Sequence, residues 1–248
     1  MQVKAYRTKK IVPHDDLIKI LDESLPKLEA RSVVAISSKI ISLCQGDIIQ
    51  KSNDIKKEDL IKKECSYFID GRKMVENGVF LTIKDGILNA TSGIDESNGQ
   101  GVYILWPKNV QNICALIWEH LKAKNGIKEL GIIVTDSRSS PLKLGVLGVG
   151  IAWCGFNPLF NYRGMPDIWD RKLTGTRANH LDAFAVAAVH EMGEGDEQTP
   201  VCVITDIKKA VFTDAPPSIE DIEALKIDLN KDLYSPILSS AKWEKGGS

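Results

Sequence analysis

Runs whose apolar residues recur every three to four positions alternate along the chain with runs of β-branched residues, and this alternation lays out the elements. In "DDLIKILDESLPKLEA", Leu17, Ile18, Leu21 and Leu25 recur at helical spacing. Asp15 and Asp16 stand before them as candidate N-caps, so a helix of about three turns is predicted. "RSVVAISSKIIS" is rich in β-branched residues and closes in "CQGD", the pattern of a buried strand running into a turn. Ser37, Ser38 and Lys39 sit where that strand leaves its sheet. Residues 52–77 read as a helix with a solvated face of mixed charge. "VFLTIKDGILNATSG" alternates Val79, Leu81 and Ile83 ahead of Asp85-Gly86, the strongest hairpin signal in the chain.

Beyond the hairpin, "GVYILWP" reads as a strand, "VQNICALIWEHLKAKNG" as a helix stopped by Gly126, and "ELGIIVTDS" as a strand with a polar end. "LGVLGVGIAWCG" is apolar but glycine-rich, which predicts a strand closely approached by another backbone. "ANHLDAFAVAAVHEMGEG" is an alanine-rich helix stopped at Gly193, and "TPVCVITD" a last core strand. The remainder, with Pro216 and Pro217, reads as a peripheral helix and tail. Strands cluster in hairpins rather than alternating one for one with helices. The expected class is therefore α+β, with mixed and antiparallel sheets flanked by helices. One catalytic unit is expected over residues 1–240, as two intimately joined lobes, with 241–248 set apart as a tail because its Gly-Gly-Ser reads as an appended end.

At 248 residues and 43% hydrophobic composition the chain can bury a full core. Its 32 basic and 33 acidic residues leave a net charge of -1, so no global field recruits nucleic acid or an anionic membrane. An anionic substrate must then be held by local charge. No run approaches the roughly twenty apolar residues of a membrane span, and the N-terminus lacks a signal-like apolar core, so a cytoplasmic protein is expected. The five cysteines form no C-x-x-C pair and read as small apolar filler.

Candidate chemistry lies at three strand ends: Asp95 in "SGIDESN", Asp136 in "IIVTDSRSS", and Glu194, Asp196 and Glu197 in "MGEGDE". Mg²⁺ is held by one or two carboxylates and completes its shell with water and substrate phosphates. Asp95, Asp136 and Glu194, with the Ser137 hydroxyl, meet that demand. Taken singly, each Asp also reads as a residue capping its own turn. Arg138, Arg163, Arg171 and Arg177 fall in or near these loops and suit bidentate capture of an anion. Carboxylates for metal beside arginines for anion are the inventory of phosphoryl transfer. The four histidines form no metal pattern; His190 reads as a helix-terminal residue favoured by the helix dipole. There is no G-x-S-x-G elbow and no phosphate loop, since "GVLGVG" lacks the lysine.

The ordered set "SGIDESN", "GIIVTDS", "NYRGMPDIWDRKL" and "NHLDAFAVAAVHEMGEGDEQTPV" resembles the coenzyme F420-0:L-glutamate ligase family, the GTP-dependent γ-glutamyl ligases, across residues 8–206. The resemblance implies an α+β homodimer in which GTP phosphorylates an acceptor carboxylate and the amino group of L-glutamate displaces the phosphate. Mg²⁺ or Mn²⁺ would organise the phosphates, with K⁺ held open as a further ion. It also implies one metal on Asp95 and Asp136, and a second on Ser137 and Glu194. Asn98 would contact the nucleotide, and Thr8, Lys9, Lys10, Ile11, Ser38 and Lys39 would lie along it. So would the turn carrying Met192, Gly193, Gly195, Asp196, Glu197 and Thr199. No residue is singled out as a catalytic acid, base or nucleophile.

Departures from the family pattern bear on the acceptor. Leu43 and Gln45 in "SLCQG" stand where lysine and glutamate are usual, Glu194 where glutamine is common, and Asp170 where glycine is frequent. The acceptor is left open between coenzyme F420-0 and a folate, the latter used by relatives of the family. Two other classes compete: a homologue that binds nucleotide without turnover, and a metal-dependent phosphohydrolase.

Overall fold

The computed structural model describes residues 1–74, 76 and 78–248. Val75 and Asn77, at the end of the stretch read as a helix over residues 52–77, lie outside the described residues. In chain order the elements are β1 (Gln2–Tyr6), α1 (Leu17–Ser24), β2 (Ser32–Ser37), α2 (Ser38–Gln45), β3 (Ile48–Gln50), α3 (Lys57–Glu64), β4 (Tyr67–Asp70), β5 (Phe80–Lys84), β6 (Ile87–Ala90) and β7 (Val102–Ile104). They continue with α4 (Val110–Asn125), β8 (Leu130–Ser139), β9 (Val146–Cys154), β10 (Leu159–Asn161), β11 (Arg177–Asn179), α5 (His180–Met192), β12 (Val201–Thr205), α6 (Ile219–Leu225), α7 (Ser235–Leu238) and β13 (Glu244–Lys245). Helices and several separate sheets make this an α+β protein, as the alternation of patterns predicts.

The chain divides into two compact units. The first comprises Met1–Gln45, Pro107–Ser137 and Val146–Pro216; the second comprises Gly46–Trp106, Arg138–Gly145 and Pro217–Ser248.

The first unit is built on a five-stranded sheet of order β1-β12-β2-β8-β9. β12 runs antiparallel to both β1 and β2, while β2 and β8 are parallel. Successive side chains of a strand alternate between faces. Val34 and Ile36 of β2, Leu130, Ile132 and Val134 of β8, and Val201 and Val203 of β12 share one core with Leu21, Ile40, Ile41, Cys114, Ile117, Trp118 and Leu121 of the flanking helices. Their neighbours Val33, Ala35, Ile133, Cys202 and Ile204 are also buried, and α5 packs on β9, β1, β12 and β2. Burial on both faces explains why these strands read as continuous apolar runs.

The glycine-rich strand behaves as expected. A β-carbon on Gly148 of β9 would lie 2.3 Å from the carbonyl oxygen of Ala185, so the backbone of α5 lies directly against that position. Helix α1 is shorter than predicted, at eight residues, because Leu25 precedes Pro26 and must leave the helical region. Asp16 caps it by accepting from the Lys19 amide. After β2 the chain does not turn but enters α2 at once, so that the β-branched Ile40 and Ile41 continue the apolar run of the strand on a helix.

In the second unit β13, β4, β5 and β6 form an antiparallel sheet in that order. β5 and β6 make the expected hairpin around Asp85 and Gly86, whose φ values of 52° and 80° are those of a type I′ turn. The helix read over residues 52–77 is corrected: among its described residues α3 is the α-helix, "YFID" is β4, and Gly71–Lys73 forms a single 3₁₀ turn. Pairing with β5 and the edge contact of Phe68 on Phe80 decide that segment, against a charge pattern that favours helix. The stretch 241–248 is not a loose tail here, since β13 pairs with β4 and the Gly246 and Gly247 amides donate to Ser66 and Lys62.

All five cysteines are free, and burial pushes the thiols of Cys154 and Cys202 up to about 12, as suits apolar filler. Among the described residues no helix is long and apolar enough to cross a membrane.

Replacing Gly148 with alanine forces a methyl group against the α5 backbone. The expected destabilisation is about 1–3 kcal/mol, seen as a Tm lowered by several degrees. Gly175→Ala, at a site with open space around it, is the control and should leave Tm unchanged.

Candidate active site

The strand directions of the first unit bring four segments to one edge of its sheet. β1, β2 and β8 all point their C-terminal ends there, and β12 begins there. At that edge lie residues 7–11 after β1, the start of α2 after β2, Asp136 and Ser137 near the end of β8, and the loop 193–200 that leads into β12. Hydrogen bonds tie them together: the Thr8 amide donates to the Gln198 carbonyl at 3.1 Å, and the Ser37 amide to the Pro200 carbonyl at 3.0 Å.

Two carboxylates meet through one serine. The Ser137 hydroxyl donates to Glu194 Oε1 at 2.5 Å, while its amide donates to Asp136 Oδ1 at 2.8 Å. The Asp136 and Ser137 side chains are half-buried and Glu194 is exposed. Two carboxylates and a hydroxyl are hard oxygen donors, few enough that a divalent ion would take its remaining ligands from phosphates and water. That donor chemistry fits Mg²⁺ or Mn²⁺. Among the described residues no group of three or more His, Cys, Asp or Glu side chains converges.

The loop from Met192 to Thr199 is closed on itself. The Thr199 hydroxyl donates to the Met192 carbonyl at 2.7 Å, and the Gly195 amide to Glu197 Oε2 at 2.8 Å. Glu197 is thus a loop-closing residue as well as a candidate nucleotide contact, and Asp196 is exposed. Met192 is buried at the end of α5, whose last turn also carries His190, and Gly193 caps the helix with φ 77°. Thr8 is buried and its hydroxyl donates to the Lys9 carbonyl; Lys10 is exposed and Ile11 packs against the core. Lys9 pairs with Asp15 at 2.5 Å, and that hydrogen bond is the main cause holding the Asp15 carboxyl below its usual range. Ser38, buried, and Lys39, half-buried, open α2 at the same edge.

Asp95 and Asn98 belong to the second unit. Asp95 exchanges both backbone hydrogen bonds with Ile104, at 2.9 and 2.8 Å, and its Oδ1 accepts from the Ser97 amide and hydroxyl, so the reading of a capped turn holds as geometry. Asn98 has a left-handed φ of 58°. The preceding glycine has a steric reason: a β-carbon on Gly93 would lie 2.0 Å from Nε1 of Trp106. Glu96, between the two candidate ligands, is clamped by Lys51 at 2.5 Å and Lys57 at 2.6 Å, and Lys51 holds its carboxyl below the usual range. Its lysines lie some forty residues earlier, and no local pattern in the sequence ties them to Glu96.

Of the four arginines offered for anion capture, Arg171 is engaged locally by Asp167 at 3.0 Å and Arg163 by the Asn161 side chain. Arg177 lies exposed in β11 and Arg138 half-buried in β8.

At one end of the sheet of this α+β fold the start of a helix, lysines and hard oxygen donors lie together. The family model described as F420-0:Gamma-glutamyl ligase matches residues 5–206, and the chain belongs to that family. It is similar to the coenzyme F420:L-glutamate ligase of Methanopyrus kandleri, 27% identical over 217 residues that cover 81% of this chain and 84% of the relative. The enzyme of that name from Methanocaldococcus jannaschii is 29% identical over 191 residues, covering 71% and 76%. That of Haloarcula marismortui is 29% identical over 218 residues, covering 78% and 82%.

Removing the clamp tests how the Asp95 turn is held. Glu96→Ala should speed hydrogen exchange of the Asp95 and Ile104 amides, while Tm falls by no more than a few degrees. Partly exposed ion pairs contribute only about 0.2–1 kcal/mol each.

Proposed function

We propose that the chain is a GTP- and divalent-metal-dependent ligase that joins L-glutamate to a carboxylate of an acceptor, coenzyme F420-0 or a folate. The observation that carries this reading is the sheet edge at which Ser137 bridges Asp136 and Glu194 beside the start of α2. Family membership over residues 5–206 supports it.

A carboxylate resists attack by an amine because it is anionic and a poor acylating group. Phosphorylation by GTP turns it into an acyl phosphate, from which attack by the glutamate nitrogen expels phosphate as the amide forms. Such transfers depend mainly on positioning and on neutralising phosphate charge. The first amides of α2, after Ser38, and the Lys39 ammonium suit phosphate oxygens. Asp136, Ser137 and Glu194 would hold Mg²⁺ or Mn²⁺, which when bound supplies charge neutralisation to the phosphates. Asp95 is assigned to metal and Asn98 to the nucleotide. Thr8–Ile11 and the Met192–Thr199 loop are assigned to the sides of the nucleotide. K⁺ as a further ion and a homodimer belong to the same reading.

The relatives' names favour F420-0 as acceptor. Leu43 favours keeping folate in view, because it is buried at 5% exposure and brings no charge where the family pattern has lysine. Gln45, in place of a glutamate, donates to the Lys108 carbonyl at 3.4 Å.

Incubation with GTP, Mn²⁺, L-glutamate and each acceptor, followed by mass spectrometry, should show a glutamyl addition on one acceptor and phosphate release that requires glutamate. No addition on either would sink the reading. Asp136→Ala and Glu194→Ala should each lower turnover by about two orders of magnitude or more while circular dichroism stays that of the wild type. Wild-type rates in these variants at ordinary metal concentration would refute the assigned donors.

A further inference from the structure

The ladder between β1 and β12 ends at the Tyr6–Val201 pair. The next residue of the β12 strand line, Pro200, turns its carbonyl to β2, where it accepts from the Ser37 amide at 3.0 Å. Yet residues 7–11, which this reading places along the nucleotide, are held against the loop beyond that break. One residue does this. The Gln198 carbonyl accepts from the Thr8 amide at 3.1 Å. Its side-chain Nε2 donates to the Thr8 carbonyl at 2.6 Å, and its Oε1 accepts from Arg7 at 3.5 Å. The side-chain amide thus adds a second bond to Thr8 beside the one its own carbonyl accepts.

Gln198 does this from a left-handed backbone, φ 60°, a conformation unfavourable for a side chain of this kind. Glycine would sit there without strain but would bring no amide. A residue held in a costly conformation while its side chain satisfies a buried threonine's backbone across 190 positions is over-determined by what it holds. We infer that Gln198 is a positioning residue that locks Thr8–Ile11 against the Met192–Thr199 loop, so that the two walls assigned to the nucleotide are set at one spacing. The inference rests on the proposed reading of this edge as a GTP site.

Two variants separate positioning from mere stability. Gln198→Gly removes the tether and relieves the backbone, whereas Gln198→Met keeps the side-chain length and the strained φ but loses both hydrogen-bonding groups. Both should weaken GTP, read as Kd for a fluorescent GTP analogue and as KM for GTP, by about tenfold. The kcat and the KM for glutamate should stay within about twofold. Exchange of the Thr8 amide should accelerate in both, while Tm falls in Gln198→Met and stays near wild type in Gln198→Gly, so lost affinity cannot be laid to a less stable fold. Unchanged GTP affinity in both variants, with the wild type binding normally, overturns this inference alone. A wild-type protein that binds no GTP overturns the functional reading together with it.

Discussion

The antiparallel run of β12 between the parallel strands β1 and β2 is the pairing on which the candidate site depends. It runs against β1, β2 and β8, so the beginning of β12 lies at the end of the sheet where those three strands finish. Both faces of this sheet are buried under helices, which leaves its ends as the places where polar side chains stay solvated. Segments far apart in sequence, from residue 8 to residue 199, are thereby delivered to one line. None of them needs a long loop to reach it.

The polar groups at that line satisfy one another before any ligand arrives. Ser137 spends its hydroxyl hydrogen on Glu194 and its amide on Asp136, and Glu197 accepts from its own loop. These bonds hold Asp136 and Glu194 to the amide and the hydroxyl of one serine. In the second unit, Lys51, just after β3, and Lys57, at the start of α3, both reach Glu96 beside the Asp95 turn.

Left-handed residues gather in these loops. Asn98, Asp170 and Gln198 all have φ near 60° without being glycine. Asn and Asp tolerate this conformation because their short side chains bond locally, and Asp170 stands where the family pattern often has glycine. The departure therefore leaves the backbone path intact. Gln198 has no such intrinsic tolerance, and its contacts with Thr8 and Arg7 offset the strain.

The sequence by itself determined the elements whose signal is local. The Asp85-Gly86 hairpin, the long helix ending at Gly126, the helix ending at Gly193 and the apolar strands carry their period, cap or turn within a dozen residues. It also marked Asp95, Asp136 and Glu194, because acids at the end of an apolar run are visible without a fold, although Glu194 follows helix α5 rather than the strand end expected of it. Only the tertiary structure decided β4, which follows its partner strand rather than its charge pattern, and α2, whose β-branched Ile40 and Ile41 continue the apolar run of β2. Only the fold, likewise, joined Ser137 to Glu194 and Gln198 to Thr8. Those contacts arise from strand direction and from a loop side chain that meets a segment 190 positions away, and pairing between distant segments leaves no periodic trace in either one.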